Sequence, residues 1–303
     1  MDNRTVTIIC HGGAGTITNK EAYATGLAEA IEEGYRLLRQ GAGAIEAVLR
    51  AVVILEDNPV FNAGTGSSLT IDGIAEMDAG IMTQNGRFGG VCCIRNVKNP
   101  ILVAERVMTE TDHLILCGEG AVAFARRMGF PEYNPVTDQA QARLNQVKAQ
   151  GSRYFPRLNR QLGIPEEKLG TVGAVAFDRN GHIAAATSSG GIVGRLSGRV
   201  GDSGILGAGV YAGTYGGVSC TGHGEAILRM LLARDIFERM RTLPAGTAVT
   251  LAMAEAKQRK ILCGAICIDA RGTVGFGHTA PEMAYGYKAA DRLFLWTDSI
   301  KQQ

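Results

Sequence analysis

Short apolar segments that end in glycine and hydroxyl residues are the feature that most constrains this fold. Such clusters occupy residues 187–191 (TSSGG), 198–203 (GRVGDS) and 219–225 (SCTGHGE). Glycine serves where a backbone must approach another group closely or adopt a positive φ, and this chain has 41 glycines. Because the clusters follow predicted strands, we expect a site built largely from main chain at neighbouring strand ends.

The predicted elements alternate between groups of strands and groups of helices. Strands are predicted at 5–10, 75–81, 87–95, 172–178, 182–188, 206–212 and 217–221, with a last hairpin at 264–279, and helices at 223–241 and 246–260. This order favours two stacked sheets between helical layers, in one domain spanning residues 1–303. Residues 131–169 are polar with weak apolar periodicity, which predicts a surface-exposed linker with some helix.

Composition argues against several classes of partner. The 31 basic and 29 acidic residues give a net charge of +2 and are scattered, so we expect no nucleic-acid footprint. No apolar run reaches about 18 residues, and the amino terminus does not look like a signal peptide, so we expect no membrane association. The seven cysteines lack framework spacing, which predicts reduced thiols and a cytoplasmic location.

Thr171 stands where a polar segment ends and an apolar strand begins. A threonine can act as a nucleophile if the chain is cut just before it, because the freed α-amine is then a base beside its own hydroxyl. A free α-amine titrates near ~7.7–8, so a neutral fraction exists at physiological pH, whereas a lysine near ~10.4 would need strong desolvation. Thr171 is therefore the candidate nucleophile.

Several further motifs occur in a characteristic order: residues 11–15 (HGGAG), 61–64 (FNAG) and 76–79 (EMDA), then the segments around Thr171, Arg199 and Thr221. Together they resemble the plant-type L-asparaginases (isoaspartyl peptidases), which are N-terminal-nucleophile hydrolases, over nearly the whole chain. The resemblance implies an α/β fold of the four-layer αββα type. It also implies self-cleavage between Gly170 and Thr171, an α subunit (1–170) with a mobile linker (131–170), a β subunit (171–303), and a homo-oligomer of two αβ units.

The resemblance also implies roles for individual residues. Asn62 and Ser189 would orient the Thr171 nucleophile, and Thr221 Oγ1 with the Gly222 amide would form the oxyanion hole. Arg199 would bind the substrate α-carboxylate and Asp202 its α-ammonium, and the remaining residues of the two substrate-binding segments would be Val200, Gly201, His223 and Gly224. Ser189 departs from the family's usual threonine and so lacks the methyl group that restricts the rotamer.

A sodium ion is the one metal that the resemblance implies, and no other cofactor is expected. Its ligands would be the main-chain carbonyls of Leu55, Glu56, Asn58, Phe61, Ala63 and Thr65. The five histidines show no HExxH or Cys-x-x-Cys companion, so no transition-metal site is predicted.

The implied reaction is hydrolysis of the side-chain amide of L-asparagine, and of β-aspartyl (isoaspartyl) dipeptides, through a threonine ester. Two alternatives stay open at the level of sequence. One is a glycosylasparaginase, although that group usually carries Asp or His where Leu169 stands here. The other is an unprocessed relative that binds aspartate-like metabolites without turnover.

Overall fold

Two β-sheets form the centre of the computed structural model, which describes residues 5–150 and 170–300. The larger sheet comprises β1 (Thr7–Gly15), β2 (Met77–Thr83), β3 (Phe88–Ile94), β4 (Ile115–Cys117), β5 (Val172–Phe177), β6 (Ile183–Ser189), β11 (Glu282–Ala289) and β12 (Arg292–Leu295), in the order β12-β11-β1-β5-β6-β2-β3-β4. The smaller sheet comprises β7 (Val210–Gly213), β8 (Gly216–Gly222), β9 (Cys263–Asp269) and β10 (Val274–His278), in the order β10-β9-β8-β7. Neighbouring strands are antiparallel except β3 and β4.

Helices cover the outer faces of both sheets. Those before residue 151 are α1 (Lys20–Arg39), α2 (Ala44–Asp57), α3 (Pro100–Glu110), α4 (Gly118–Arg127) and α5 (Asp138–Gln150). Those after residue 170 are α6 (Gly224–Met230), α7 (Leu232–Arg239), α8 (Ala245–Gln258) and α9 (Trp296–Ile300). The helices α1, α2 and α3 pack on the larger sheet, α7 and α8 on the smaller, and the two sheets pack face to face. The predicted four-layer αββα sandwich is confirmed.

The central strand β5 shows why these segments are almost wholly apolar. Its residues Val172, Ala174 and Ala176 pack in the core beneath α1–α3, whereas Val175 and Phe177 face the core between the sheets. Side chains alternate between the faces of a strand, so a strand covered on both faces must be apolar throughout. Because β6 runs antiparallel to β5, with Val172 opposite Ser188, the start of β5 and the end of β6 lie side by side at the same end of the sheet.

The first half of the segment predicted as a surface-exposed linker with some helix is mostly exposed and contains helix α5, one face of which is packed. Helix α5 buries Ala140, Leu144 and Val147 against Leu69 and Val193. The helical component of the prediction is confirmed. Residues 151–169, the rest of the predicted linker, lie outside the described residues.

Two other differences from the sequence prediction concern the second half of the chain. The single helix predicted at 223–241 is two helices, because Leu231 adopts a left-handed conformation (φ 48°) between α6 and α7. The antiparallel pair β11–β12 was not predicted, and it extends the larger sheet beside β1. No helix in residues 5–150 or 170–300 combines the length and apolar character needed to cross a bilayer.

Candidate active site

The candidate nucleophile, Thr171, lies immediately before β5 and is buried. Its Oγ1 lies 2.8 Å from the carbonyl oxygen of Gly170 and 3.1 Å from Ser189 Oγ. Ser189 Oγ in turn lies 3.3 Å from the same carbonyl oxygen. The antiparallel pairing of β5 and β6 thus places the predicted nucleophile and its predicted orienting hydroxyl against the Gly170–Thr171 peptide.

Asn62 contacts the carbonyl of the same peptide. Its Nδ2 donates to the Gly170 carbonyl (2.9 Å) and to the Gly191 carbonyl (2.7 Å), and its Oδ1 accepts from the Ser68 amide (2.7 Å). With both amide hydrogens and the oxygen engaged, this side chain has a single orientation. The Gly170 carbonyl is therefore polarised by a fixed donor.

The main chain around this peptide is also tightly packed. Gly13 lies in β1 just after a register irregularity and has a φ of 114°. A Cβ atom at this position would lie 3.0 Å from the Gly170 Cα and 3.3 Å from the Thr171 nitrogen. Glycine satisfies both the positive φ and the close approach, so the 11–15 motif supplies one wall of the site.

Thr221 and Gly222, the predicted oxyanion-hole residues, end strand β8 of the smaller sheet. The Ala14 amide donates to Thr221 Oγ1 (3.2 Å), which leaves the threonine O–H available as a donor. Gly222 has a φ of 140°, and a Cβ there would lie 2.5 Å from the Cys263 Cα. Gly222 faces the pocket that Thr171 opens onto.

That pocket, which we call the small pocket, has a volume of about 250 Å³. Its lining includes Thr171, Ser189, Arg199, Gly201, Asp202, Gly222 and Gly224. The structure therefore brings most of the predicted substrate-binding residues to one place. Three predicted residues do not line it: Thr221, Val200 and His223. Thr221 is fully buried, Val200 is 36% exposed, and His223 precedes α6 with its Nε2 3.8 Å from Glu225 Oε2.

Opposite charges lie side by side in the small pocket. Arg199 donates from Nε and Nη2 to the two carboxylate oxygens of Glu225, each at 2.8 Å. Burial lowers the pKa of Arg199, but the hydrogen bonds and charge of Glu225 outweigh it, so the net pKa is raised and the guanidinium stays charged. Glu225 therefore occupies the Nε–Nη2 edge of Arg199 and orients the guanidinium, and a substrate carboxylate would have to bind its remaining N–H groups, those of Nη1 among them.

Asp202 is a buried carboxylate with spare acceptor capacity. Among the described residues, its Oδ2 has no hydrogen-bond partner. Burial raises the pKa of Asp202 from 3.8 to about 7, partly offset by the nearby Arg199 charge. An unsatisfied buried carboxylate oxygen is costly, and a cationic ligand would remove that cost.

His11 is a site residue whose role the sequence did not reveal. Its Nδ1 lies 3.1 Å from the Thr171 carbonyl oxygen, and its Nε2 lies 2.9 Å from Ser219 Oγ. Burial lowers the pKa of His11 to about 3, against the opposing effect of the bond to Thr171, so the ring is neutral. A carbonyl only accepts, so Nδ1 carries the proton and Nε2 accepts from Ser219. His11 thereby anchors the main chain of the nucleophile.

Asp78 and Arg195 also support the site and were not predicted. Asp78 accepts from the amides of Cys93 (2.8 Å) and Gly201 (2.7 Å), which holds the segment that carries Arg199 and Asp202. Arg195, fully buried, donates to the carbonyls of Ser68 (3.1 Å), Ile192 (3.0 Å) and Glu76. The 76–79 motif was the only sequence signal for Asp78.

The loop predicted to hold sodium follows the carboxyl end of α2. The Thr65 amide donates to the Glu56 carbonyl (2.8 Å) and the Phe61 amide to the Asn58 carbonyl (3.1 Å), which closes the loop on itself. A helix C-terminus carries a partial negative charge and carbonyl oxygens suit hard cations, so oxygens of this type would suit an alkali ion, although those of Glu56 and Asn58 each already accept one backbone hydrogen bond. Across the described part of the chain, no cluster of three His, Cys, Asp or Glu residues could hold a metal.

Known proteins resemble this chain over almost its full length. A family model described as Asparaginase matches residues 4–295. A plant-type L-asparaginase from Pyrococcus horikoshii is 45% identical over 294 residues, covering 93% of this chain and 96% of that protein. An isoaspartyl peptidase/L-asparaginase from Danio rerio is 41% identical over 292 residues (92% and 90% covered), and one from Homo sapiens is 42% identical over 276 residues (88% and 87%). The chain therefore belongs to the asparaginase family and is a hydrolase.

Proposed function

We propose that the protein is an autoprocessed amidohydrolase that cleaves the side-chain amide of L-asparagine and β-aspartyl dipeptides. The observation that carries the proposal is the 2.8 Å contact between Thr171 Oγ1 and the Gly170 carbonyl oxygen, at the mouth of a pocket holding Arg199 and Asp202. An aspartyl group has the complementary carboxylate, ammonium and side-chain carbonyl. The names of the relatives support the same substrates.

In the maturation step, Thr171 Oγ1 attacks the Gly170 carbonyl carbon. The carbon–nitrogen bond breaks, the hydroxyl proton passes to the released nitrogen, and Gly170 becomes an ester of the Thr171 side chain. Water then hydrolyses the ester, giving a carboxylate at Gly170 and a free α-amine at Thr171. Asn62 Nδ2, 2.9 Å from the Gly170 oxygen, would stabilise the negative charge that develops there.

In turnover, the free α-amine of Thr171 removes the proton from Oγ1, which attacks the substrate side-chain carbonyl. The Thr221 hydroxyl and the Gly222 amide would donate to the oxyanion. The amine returns the proton to the departing nitrogen, which leaves as ammonia or as an amino acid. Water hydrolyses the aspartyl ester and releases aspartate.

Three further properties are part of the proposal, and the first two rest on family resemblance. The loop at residues 55–65 would hold a structural sodium ion through its carbonyls, and two αβ units would pair. A cytoplasmic location fits the seven cysteines, all of which are free thiols.

Replacing the nucleophile tests this function. Thr171→Ala should remain one chain and lose activity on L-asparagine by about 10⁴-fold or more, as for other nucleophile deletions. The control Thr250→Ala removes an exposed threonine of α8 and should mature and turn over normally. Cleavage and activity in Thr171→Ala would refute the proposal, and an uncut wild type that binds aspartate without turnover would favour the metabolite binder.

A further inference from the structure

A second concavity, which we call the large cleft, lies against the same peptide as the small pocket. It has a volume of about 740 Å³ and is lined by residues 12–19, Tyr23, Asn62, Gln139, Arg143 and Gly170, among others. Gly170 lines both concavities, whereas Arg199 and Asp202 line only the small pocket. The cleft therefore lies on the amino side of the Gly170–Thr171 bond.

The proposed chemistry predicts that the leaving group passes into the large cleft. The amine that protonates the leaving nitrogen is the Thr171 nitrogen, which is bonded to Gly170 before maturation. Once Gly170 is detached, the space beside that amine opens towards the large cleft. A leaving group that departs from the amine must therefore enter this space, while the aspartyl part stays beside Arg199 and Asp202.

The large cleft carries one charged side chain among the described residues that line it, Arg143. Within the described part of the chain its guanidinium makes no hydrogen bond or ion pair, and the residue is partly buried. Gln139, one helical turn earlier, lines the cleft too, so one face of α5 points into it. The neighbouring face, with Ala140, Leu144 and Val147, is buried against Leu69 and Val193, which fixes the helix.

We propose that the large cleft is the leaving-group subsite and that Arg143 binds the α-carboxylate of the amino acid released from a β-aspartyl dipeptide. This inference rests on the proposed function. An anion is the complement of a cleft with a single positive charge, and Arg binds carboxylates through a planar fork. Asparagine releases ammonia and has no such carboxylate, so Arg143 selects dipeptides over asparagine.

The test compares three substrates on the matured protein: β-aspartyl-leucine, its C-terminal amide, and L-asparagine. We expect the wild type to have kcat/KM about tenfold higher for the free dipeptide than for its amide, the size of a charge-assisted hydrogen bond in a partly exposed site. In Arg143→Gln this preference should fall to within about twofold, and the dipeptide-to-asparagine ratio should fall about tenfold. Lys148→Gln, at an exposed position of the same helix, should keep both ratios.

An Arg143→Gln protein that keeps the wild-type preference overturns the subsite, as does a wild type with no preference for the free carboxylate. The comparison of the free dipeptide with its amide in the wild type needs no variant, so it tests the subsite even if Arg143→Gln fails to fold. A wild type that hydrolyses all three substrates without preference overturns the subsite alone. A wild type that hydrolyses none of them overturns the proposed function and the subsite together.

Discussion

Three donors converge on the carbonyl of Gly170: the hydroxyls of Thr171 and Ser189 and the side-chain amide of Asn62. A carbonyl oxygen has two lone pairs, so three donors crowd it and polarise the bond that is to be cut. Ser189 Oγ also accepts from the Gly191 amide at 3.0 Å, which restricts the directions open to its own hydrogen. We therefore expect the geometry of the proposed self-cleavage to depend on how firmly Ser189 is held.

Ser189 should set the rate of maturation. Loss of an oxyanion donor costs about 10²–10³ in rate, and Ser189 is the more distant donor, so Ser189→Ala should slow cleavage by about 10². Ser189→Thr keeps the hydroxyl and restores a methyl group that restricts the rotamer, so it should cleave at least as fast as wild type. A time course of fragment formation on a denaturing gel measures both. Cleavage of Ser189→Ala at the wild-type rate would contradict this role.

Asp202 should give substrate binding a pH dependence. Its pKa is raised by burial from 3.8 to about 7, so below that pH the free carboxyl is neutral and attracts an ammonium group weakly. KM for L-asparagine should therefore rise about tenfold as the pH falls from about 8 to about 6. In the enzyme–substrate complex the bound ammonium keeps Asp202 ionised, so kcat should not depend on the protonation of Asp202 over this range. Steady-state kinetics across that range provide the measurement. Asp202→Asn should have a higher KM that no longer changes with pH, and a constant wild-type KM would exclude the assignment.

Thr171 was singled out by its own chemistry, because a threonine at a cut amino terminus carries its own base. The roles of Arg199 and Asp202 came from the family resemblance, which rests on contiguous motifs. The role of His11 was not predictable, because its partners are 160 and 208 residues away in the chain. A lone histidine in a glycine-rich segment carries no local sign that it holds the carbonyl of the nucleophile.

Among the elements, α5 differs most from its sequence pattern. Its residues are mostly polar, and only Ala140, Leu144 and Val147 form the narrow stripe that packs against Leu69 and Val193. Thr65 Oγ1 also lies 2.9 Å from the Tyr133 hydroxyl, which ties the preceding segment to the loop after α2. So few apolar positions produce a weak periodicity, although they bury the helix face completely.

Truncating the anchor of α5 should destabilise the protein. Leu144 is fully buried, and a buried leucine-to-alanine change costs about 2–5 kcal/mol through lost contacts and a residual cavity. Asn145→Ala, at the adjacent exposed position, is the control and should change stability by about 0.5 kcal/mol or less. Denaturant unfolding of both variants measures the difference. Equal stability of Leu144→Ala and wild type would mean that α5 behaves as a loose linker.

Two other structural features that the sequence did not predict, strand β11 and the helix break at Leu231, have physical explanations. Strand β11 lies between β1 and β12 at one side of the larger sheet, and its mixed burial gives no regular alternation. Besides its pairing with β1 and β12, it makes aromatic contacts with other strands, such as Tyr285 with Phe276 at 4.3 Å and Tyr287 with Phe294 at 5.2 Å between ring centres. The break at Leu231 lies inside an apolar run, where no glycine or proline marks a helix end.

At the scale of the whole molecule, the proposed cut falls inside an interleaved sheet. In the order β12-β11-β1-β5-β6-β2-β3-β4, strands from before and after residue 171 alternate in blocks. Strand β5 pairs with β1 through five residues and β6 pairs with β2 through six, so both fragments share the central ladders. We therefore expect the proposed cut of the Gly170–Thr171 peptide to change the site and to leave the fold intact.

The state of the Gly170–Thr171 bond is the most direct test of this account. The mass of the denatured, catalytically active protein should resolve into two polypeptides, and amino-terminal sequencing of the second should begin at Thr171 with a free amine. Both polypeptides should elute together before denaturation. A single polypeptide of 32.0 kDa that hydrolyses L-asparagine would contradict the account, because the Thr171 nitrogen would still be an amide and could not act as a base.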